Sequence, residues 1–159
     1  MGKEIERKFI IHELPPEAGS LPGSRMRQGY LAIAADGGEC RIRQCEGECT
    51  LTVKQGKGLK RTEDEMLIST SLFDQLWPLT EHRLIEKVRC CLPTDSLKIE
   101  IDQYEGVLEG LHIAEIEFPD ETTANDWIPP AWFGQEVTDD PAYKNQQLAL
   151  HGAPLSLNP

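Results

Sequence analysis

A mainly β fold, an eight-stranded antiparallel closed barrel with a few flanking helices, is what this sequence predicts, and three observations carry it. Charged and apolar residues alternate through one short segment after another, beginning with Glu4-Ile5-Glu6-Arg7-Lys8. Turn signals close several segments at short range: Asp36-Gly37-Gly38, Glu46-Gly47-Glu48 and Gln55-Gly56-Lys57-Gly58. Tight turns imply antiparallel neighbours, and a small domain with so many strands gains by closing the sheet, which removes its edges.

The strands follow from period-2 alternation between breakers, at 3–11, 27–35, 39–45, 49–55, 60–68, 83–92, 97–104 and 112–118. Two helices interrupt or end the series. Ser69 or Thr70 caps a short one through Leu72, Phe73, Leu76 and Trp77, stopped by Pro78. Asp140 caps the second, with Pro141 at its first position, the run AYKNQQLALH, and Gly152 at its end. There is no repeat and no low-complexity tract. We expect one domain over residues 1–152 and a frayed tail at 153–159.

Successive strand residues point to opposite faces, so the alternation puts like-natured residues together. Glu4, Glu6 and Lys8 share one face; Arg41 and Arg43 another; Thr50, Thr52 and Lys54 a third. The same holds for Arg61, Glu63 and Glu65, for Lys87 and Arg89, for Lys98, Glu100 and Asp102, and for Glu115 and Glu117. Such faces either meet water, as in many antiparallel sheets, or line the lumen while the apolar faces pack outside. Recurrence of both charge signs on nearly every strand favours the lumen. Confined cations and carboxylates are costly unless a ligand completes them. A polyanion with a divalent metal is the natural ligand. Cations hold phosphoryl oxygens, and clustered carboxylates such as Glu4 and Glu6 suit Mg2+ or Mn2+.

Composition narrows the function classes. The 159 residues carry a net charge of −11, which argues against a general nucleic-acid binder. Fifteen of the 16 basic residues fall within residues 1–98, and the rest of the chain holds only Lys144. No apolar run approaches the roughly 20 residues that span a bilayer, so no membrane partner is expected. The charged start lacks a signal-peptide core, which makes the cytoplasm the default address. Cys40, Cys45, Cys49, Cys90 and Cys91 have neither disulfide-framework nor zinc-site spacing and read as free thiols. His12, His82, His112 and His151 fall outside every motif.

The opening E-I-E-R-K resembles the ExExK signature of the CYTH domain, the triphosphate tunnel metalloenzymes. The likeness continues in order through RIR, TLTVK, RTEDE, EKVR, IEIDQYEG, IAEIEF and EVTDDPAYKNQQLA, over residues 3–149. It implies a barrel forming a tunnel, with a C-terminal helix near one mouth. Glu4, Glu6 and Glu117 then resemble the metal carboxylates, with Glu115 as a neighbour. Lys8, Arg41, Arg43, Lys54, Lys87 and Arg89 resemble the triphosphate-binding cations, and Arg61 joins them by its place on the charged face. Glu63 and Glu65 fall where one could orient the attacking water. Tyr30 is a candidate contact for the terminal phosphate, Lys87 a candidate proton carrier, and Lys144 a candidate for the tunnel mouth. The implied reaction is metal-assisted hydrolysis of inorganic tripolyphosphate to pyrophosphate and phosphate, by a monomer or homodimer. An adenylate cyclase, a nucleoside or thiamine triphosphatase and a non-catalytic polyphosphate- or nucleotide-binding module are the alternatives. Trp127, Trp132 and Phe133 are placed in a late loop, which leaves the lumen short of base-stacking aromatics.

Overall fold

The computed structural model describes residues 4–56 and 62–154. Eight strands form one antiparallel sheet: β1 (Ile5–Ile10), β2 (Gly23–Ile33), β3 (Glu39–Cys45), β4 (Glu48–Gln55), β5 (Thr62–Ile68), β6 (Leu84–Pro93), β7 (Lys98–Tyr104) and β8 (His112–Phe118). Their spatial order is β1-β8-β7-β6-β2-β3-β4-β5. The alternating segments thus became strands, and β2 begins four residues earlier than expected. Glu46 (φ 50°) and Gly47 (φ 85°) make the β3–β4 turn, where two positive φ values match the twist of the flanking strands.

Three short helices accompany the sheet: α1 (Thr70–Leu76), α2 (Glu121–Asp126) and α3 (Asn145–His151). Ser69 caps α1 by accepting from the Leu72 amide at 3.0 Å, as its hydroxyl predicts. The chain runs past Pro78 as a 3-10 turn, Trp77–Thr80, because proline is tolerated in a first turn. Asp120 caps α2, a helix too short to show a period. The C-terminal helix differs from its expected form. Asp140 caps only a 3-10 turn, Pro141–Tyr143; Lys144 then adopts an extended conformation (ψ 141°), and α3 starts afresh at Asn145. Of the expected tail, Ala153 packs against the core, and residues 155–159 lie outside the described residues.

Apolar strand faces pack outward. Ile5, Phe9, Ile11, Ile99, Ile101, Ala114, Ile116 and Phe118 form one cluster with Trp127, Trp132 and Phe133. Ile42, Cys49 and Leu51 form another with Phe73 and Trp77. Each large aliphatic or aromatic side chain so buried contributes about 1.5–3 kcal/mol. With both flanks covered, the charged faces turn into a lumen, and a third cluster fills one end of it. There Ile10, Ile85, Tyr104, Ile113 and Tyr30 meet Tyr143, Leu148 and Ala149.

The hydrogen-bonded ladder does not close. Among the described residues β1 and β5 do not pair, and each stands at an edge. The edge of β1 is covered by residues 134–138, through Gly134 N to Ile10 O (2.8 Å), Ile10 N to Gln135 O (2.9 Å) and Val137 N to Lys8 O (2.8 Å). Gly134 is required here, since a Cβ would sit 2.6 Å from the Ile10 carbonyl oxygen. β5 is exposed along nearly its whole length, with Leu67 73% exposed.

Candidate active site

Register decides which charges meet. On β3, Glu39, Arg41 and Arg43 succeed one another on the inner face; Glu39 faces Lys54, and Arg41 and Arg43 face Thr52 and Thr50 on β4. β6 brings Lys87 beside Tyr104, and Arg89 beside Asp102, on β7. β7 and β8 pair Glu100 with Glu115, and β8 and β1 pair Glu115 with Lys8 and Glu117 with Glu6. Lys8, Arg41, Arg43, Lys54, Lys87 and Arg89 all lie on this face, as the alternation predicts. Arg61 lies outside the described residues.

Asp102, fully buried, organises the centre. It accepts from Lys87 Nζ at 2.9 Å, and from Arg89 Nε at 2.7 Å and Nη2 at 2.8 Å. Burial alone would raise the Asp102 carboxyl; the bonds from Arg89 and the charge of Lys87 outweigh it and hold the carboxyl below the ordinary value. Burial pushes Lys87 below the usual lysine range, although Asp102 opposes the shift. Arg89 is raised, because Asp102, Glu100 and Glu115 overcome its burial. The Lys87 ammonium nitrogen is thus held by Asp102 at the centre of the lumen.

A second group surrounds Arg43. Its Nε donates to Gln28 Oε1 (2.7 Å), and Gln28 Nε2 donates to the Tyr30 hydroxyl (2.9 Å). Burial lowers the pKa of Arg43, and the neighbouring charges of Arg41 and Arg89 add to the effect. Tyr30 is buried in the apolar end of the lumen, and burial followed by the charge of Glu39 raises its phenol. Its hydroxyl supports the frame around Arg43. Arg41 Nη1 donates to Glu39 Oε1 (3.0 Å), while Arg41 Nε is buried with no hydrogen-bond partner. That donor is suited to a ligand oxygen.

Carboxylates gather at the opposite end. Glu6, Glu100, Glu115 and Glu117 line a cavity of about 400 Å³ together with Lys98. Burial raises the Glu6 carboxyl, and the charges of Glu115, Glu4 and Glu117 raise it further against the opposing pull of Lys8. The all-oxygen donor set fits a hard divalent ion. As the side chains stand, no three described ligand-type residues converge on one point. Glu115 is instead paired with Lys8 (3.5 Å) and Arg89 (3.9 Å). Glu63 and Glu65 continue the face of Lys54 and Thr52 onto the exposed edge strand β5, and both are exposed there: Glu63 is 4.0 Å from Lys54, and Glu65 accepts from Thr52 Oγ1 at 3.2 Å.

Lys144 is exposed at the start of α3, and its side chain makes no ion pair among the described residues. Its neighbour Tyr143 approaches the lumen instead, with its carbonyl oxygen 3.4 Å from Lys8 Nζ. Sequence reasoning did not single out Asp102, Glu100, Gln28 and Glu39. The first two lay within a recognised alternation, and Glu39 begins the Arg41–Arg43 row. What each one holds depends on strands elsewhere in the chain.

The fold and site define a class, an eight-stranded antiparallel structure with a lumen lined by cations at its middle and carboxylates at one end. No family model matches the chain. An inorganic triphosphatase of Nitrosomonas europaea is 45% identical over 149 residues, spanning 92% of this chain and 97% of that protein. One from Acetivibrio thermocellus is 38% identical over 150 residues, 93% of this chain and 94% of that protein. A crystal structure of an inorganic triphosphatase superposes with a TM-score of 0.82 at 40% identity, covering 97% of this chain and 99% of that one. The chain belongs to the inorganic triphosphatase family, in keeping with its likeness to the triphosphate tunnel (CYTH) proteins. A putative adenylyl cyclase from Hippeastrum shares the fold alone, with a TM-score of 0.51 at 18% identity over 77% of this chain and 83% of that one. Among the described residues no helix is long and apolar enough to cross a membrane.

Proposed function

We propose that this protein hydrolyses inorganic tripolyphosphate to pyrophosphate and phosphate in its lumen, with a divalent cation, Mg2+ or Mn2+, held by Glu4, Glu6, Glu115 and Glu117. The observation that carries the reading is the inner row of Lys8, Arg41, Arg43, Lys54, Lys87 and Arg89, which faces one lumen with carboxylates at one end. The cations bind phosphoryl oxygens along the chain and present fixed positive potential where charge develops. When bound, the metal lowers the repulsion faced by the incoming water and stabilises charge on the leaving group. Glu63 or Glu65 orients the water. Attack on the terminal phosphorus breaks its bond to the bridging oxygen; the water's proton passes to a carboxylate or to solvent, and pyrophosphate leaves.

Among the described residues the lumen offers no exposed ring on which a base could stack. Tyr30 and Tyr104 are buried and hydrogen-bonded, while Trp127, Trp132 and Phe133 pack outside the barrel on Phe9 and one another. Selectivity for a nucleotide needs contacts whose loss is costly, so tripolyphosphate is preferred to ATP. Phosphorus NMR with both substrates at equal Mg2+ or Mn2+ tests this. The expected result is a higher kcat/KM for tripolyphosphate and a loss on the order of 100-fold in Glu6→Ala with the circular dichroism spectrum retained. Cyclic AMP from ATP with tripolyphosphate inert would overturn the reading in favour of a cyclase. Tight anion binding without turnover of any triphosphate would leave a binding module.

A further inference from the structure

Beyond Arg41, level with Lys54 on the neighbouring strand, the cationic row stops at a carboxylate toward the apolar end. Glu39 has a side chain only 8% exposed, and both of its oxygens are engaged. Oε1 is 3.0 Å from Arg41 Nη1 and 3.8 Å from Lys54 Nζ, and Oε2 accepts from Gln146 Nε2 of α3 at 2.8 Å. A backbone irregularity between Tyr30 and Ala32 re-phases β2, so that Ile33 lies opposite Glu39 and packs on the apolar cluster. The helix behind Glu39 is itself held, with Tyr104 donating its hydroxyl to Asn145 Oδ1 at 3.1 Å and Leu148 buried. The other end of the row opens into the carboxylate-lined cavity. One end of the lumen is therefore open, and the other finishes in a fixed negative charge backed by a helix.

We propose that Glu39 is the chain-length stop of this lumen. It rejects the phosphoryl group that a longer polyphosphate would push past Arg41, and so sets the preference for tripolyphosphate over longer chains. The inference rests on the proposed binding of tripolyphosphate in the lumen. The physical term is like-charge repulsion from a carboxylate whose side chain is itself buried, reinforced because Gln146 prevents the carboxylate from swinging aside. A carboxylate that merely neutralised Arg41 and Lys54 would weaken every anion alike. A stop acts on the extra phosphoryl group alone.

The test is calorimetric binding of tripolyphosphate and tetrapolyphosphate to the whole protein in metal-free buffer, where turnover does not intervene. Glu39→Gln keeps the shape and removes the charge; it should raise tetrapolyphosphate affinity relative to tripolyphosphate by about tenfold. Glu39→Asp should keep the wild-type ratio. Gln146→Lys, which neutralises the stop from the helix side, should shift the ratio in the same direction as Glu39→Gln and guards against a folding defect in the first variant. An equal change for both chains, or none, overturns the proposal. Hydrolysis of tripolyphosphate by the wild type with Mg2+ is scored separately. Binding that follows the predicted ratios without turnover would refute the hydrolase reading and leave the stop standing.

Discussion

On β1, β6 and β8, one step of two residues along the inner face separates a charged side chain from a buried aliphatic one: Lys8 from Ile10, Lys87 from Ile85, and Glu115 from Ile113. The same strands thus build two unlike compartments. At one end Tyr104, Ile113, Tyr143 and Leu148 form a packed core closed by α3. At the other, the inner face is joined by ion pairs such as Lys87–Asp102 and Lys8–Glu115, and the outer apolar clusters hold the wall. Burial of apolar surface stabilises the first compartment, whereas enclosed charge costs desolvation that its own ion pairs only partly offset. The difference teaches where stability and the proposed function reside: the apolar end anchors the sheet, and the charged end is the one to which the proposal assigns the anionic ligand.

Asp102→Asn should break the comparison most strongly. Removing this carboxylate leaves Lys87 buried without its counter-charge, and urea unfolding at neutral pH should show a loss of about 3 kcal/mol. Its pH dependence has a definite sign. The folded carboxyl lies below its ordinary value of 3.8, so its contribution is present above about pH 4 and fades as pH falls through the folded value. The gap between wild type and variant should therefore narrow under acid conditions. A constant gap from pH 6 to pH 3 would show that the substitution acts by packing instead.

Leu148→Ala acts on the other compartment. Truncation of this buried leucine in α3 should cost about 2–3 kcal/mol in the same unfolding measurement, while turnover per folded molecule stays near wild type. A large fall in kcat with little loss of stability would instead tie the apolar end to the chemistry.

Lys144→Ala is expected to do least. An exposed side chain without an ion pair among the described residues should change stability by less than about 0.5 kcal/mol, with KM for tripolyphosphate unchanged. A several-fold rise in KM would bring Lys144 back into the lumen on ligand binding and extend the charged compartment toward α3.

Period-2 alternation is a local property, written in consecutive residues, and so the sequence by itself determined the strands, their antiparallel hairpins and the faces of Lys8, Arg41, Arg43, Lys54, Lys87 and Arg89. Capping was legible for the same reason at Ser69 and Asp140, each of which needs only residues two or three positions on. The break at Lys144 was not, because an extended residue there lets Tyr143 turn toward Lys8 and Leu148 into the core. Only the tertiary structure decided that Asp102 unites Lys87 with Arg89 and that Glu39 meets Gln146, 107 positions away. It likewise decided that the β1 edge pairs with residues 134–138 and not with β5. Such partnerships depend on register between strands and on where the chain returns, and no local period encodes either.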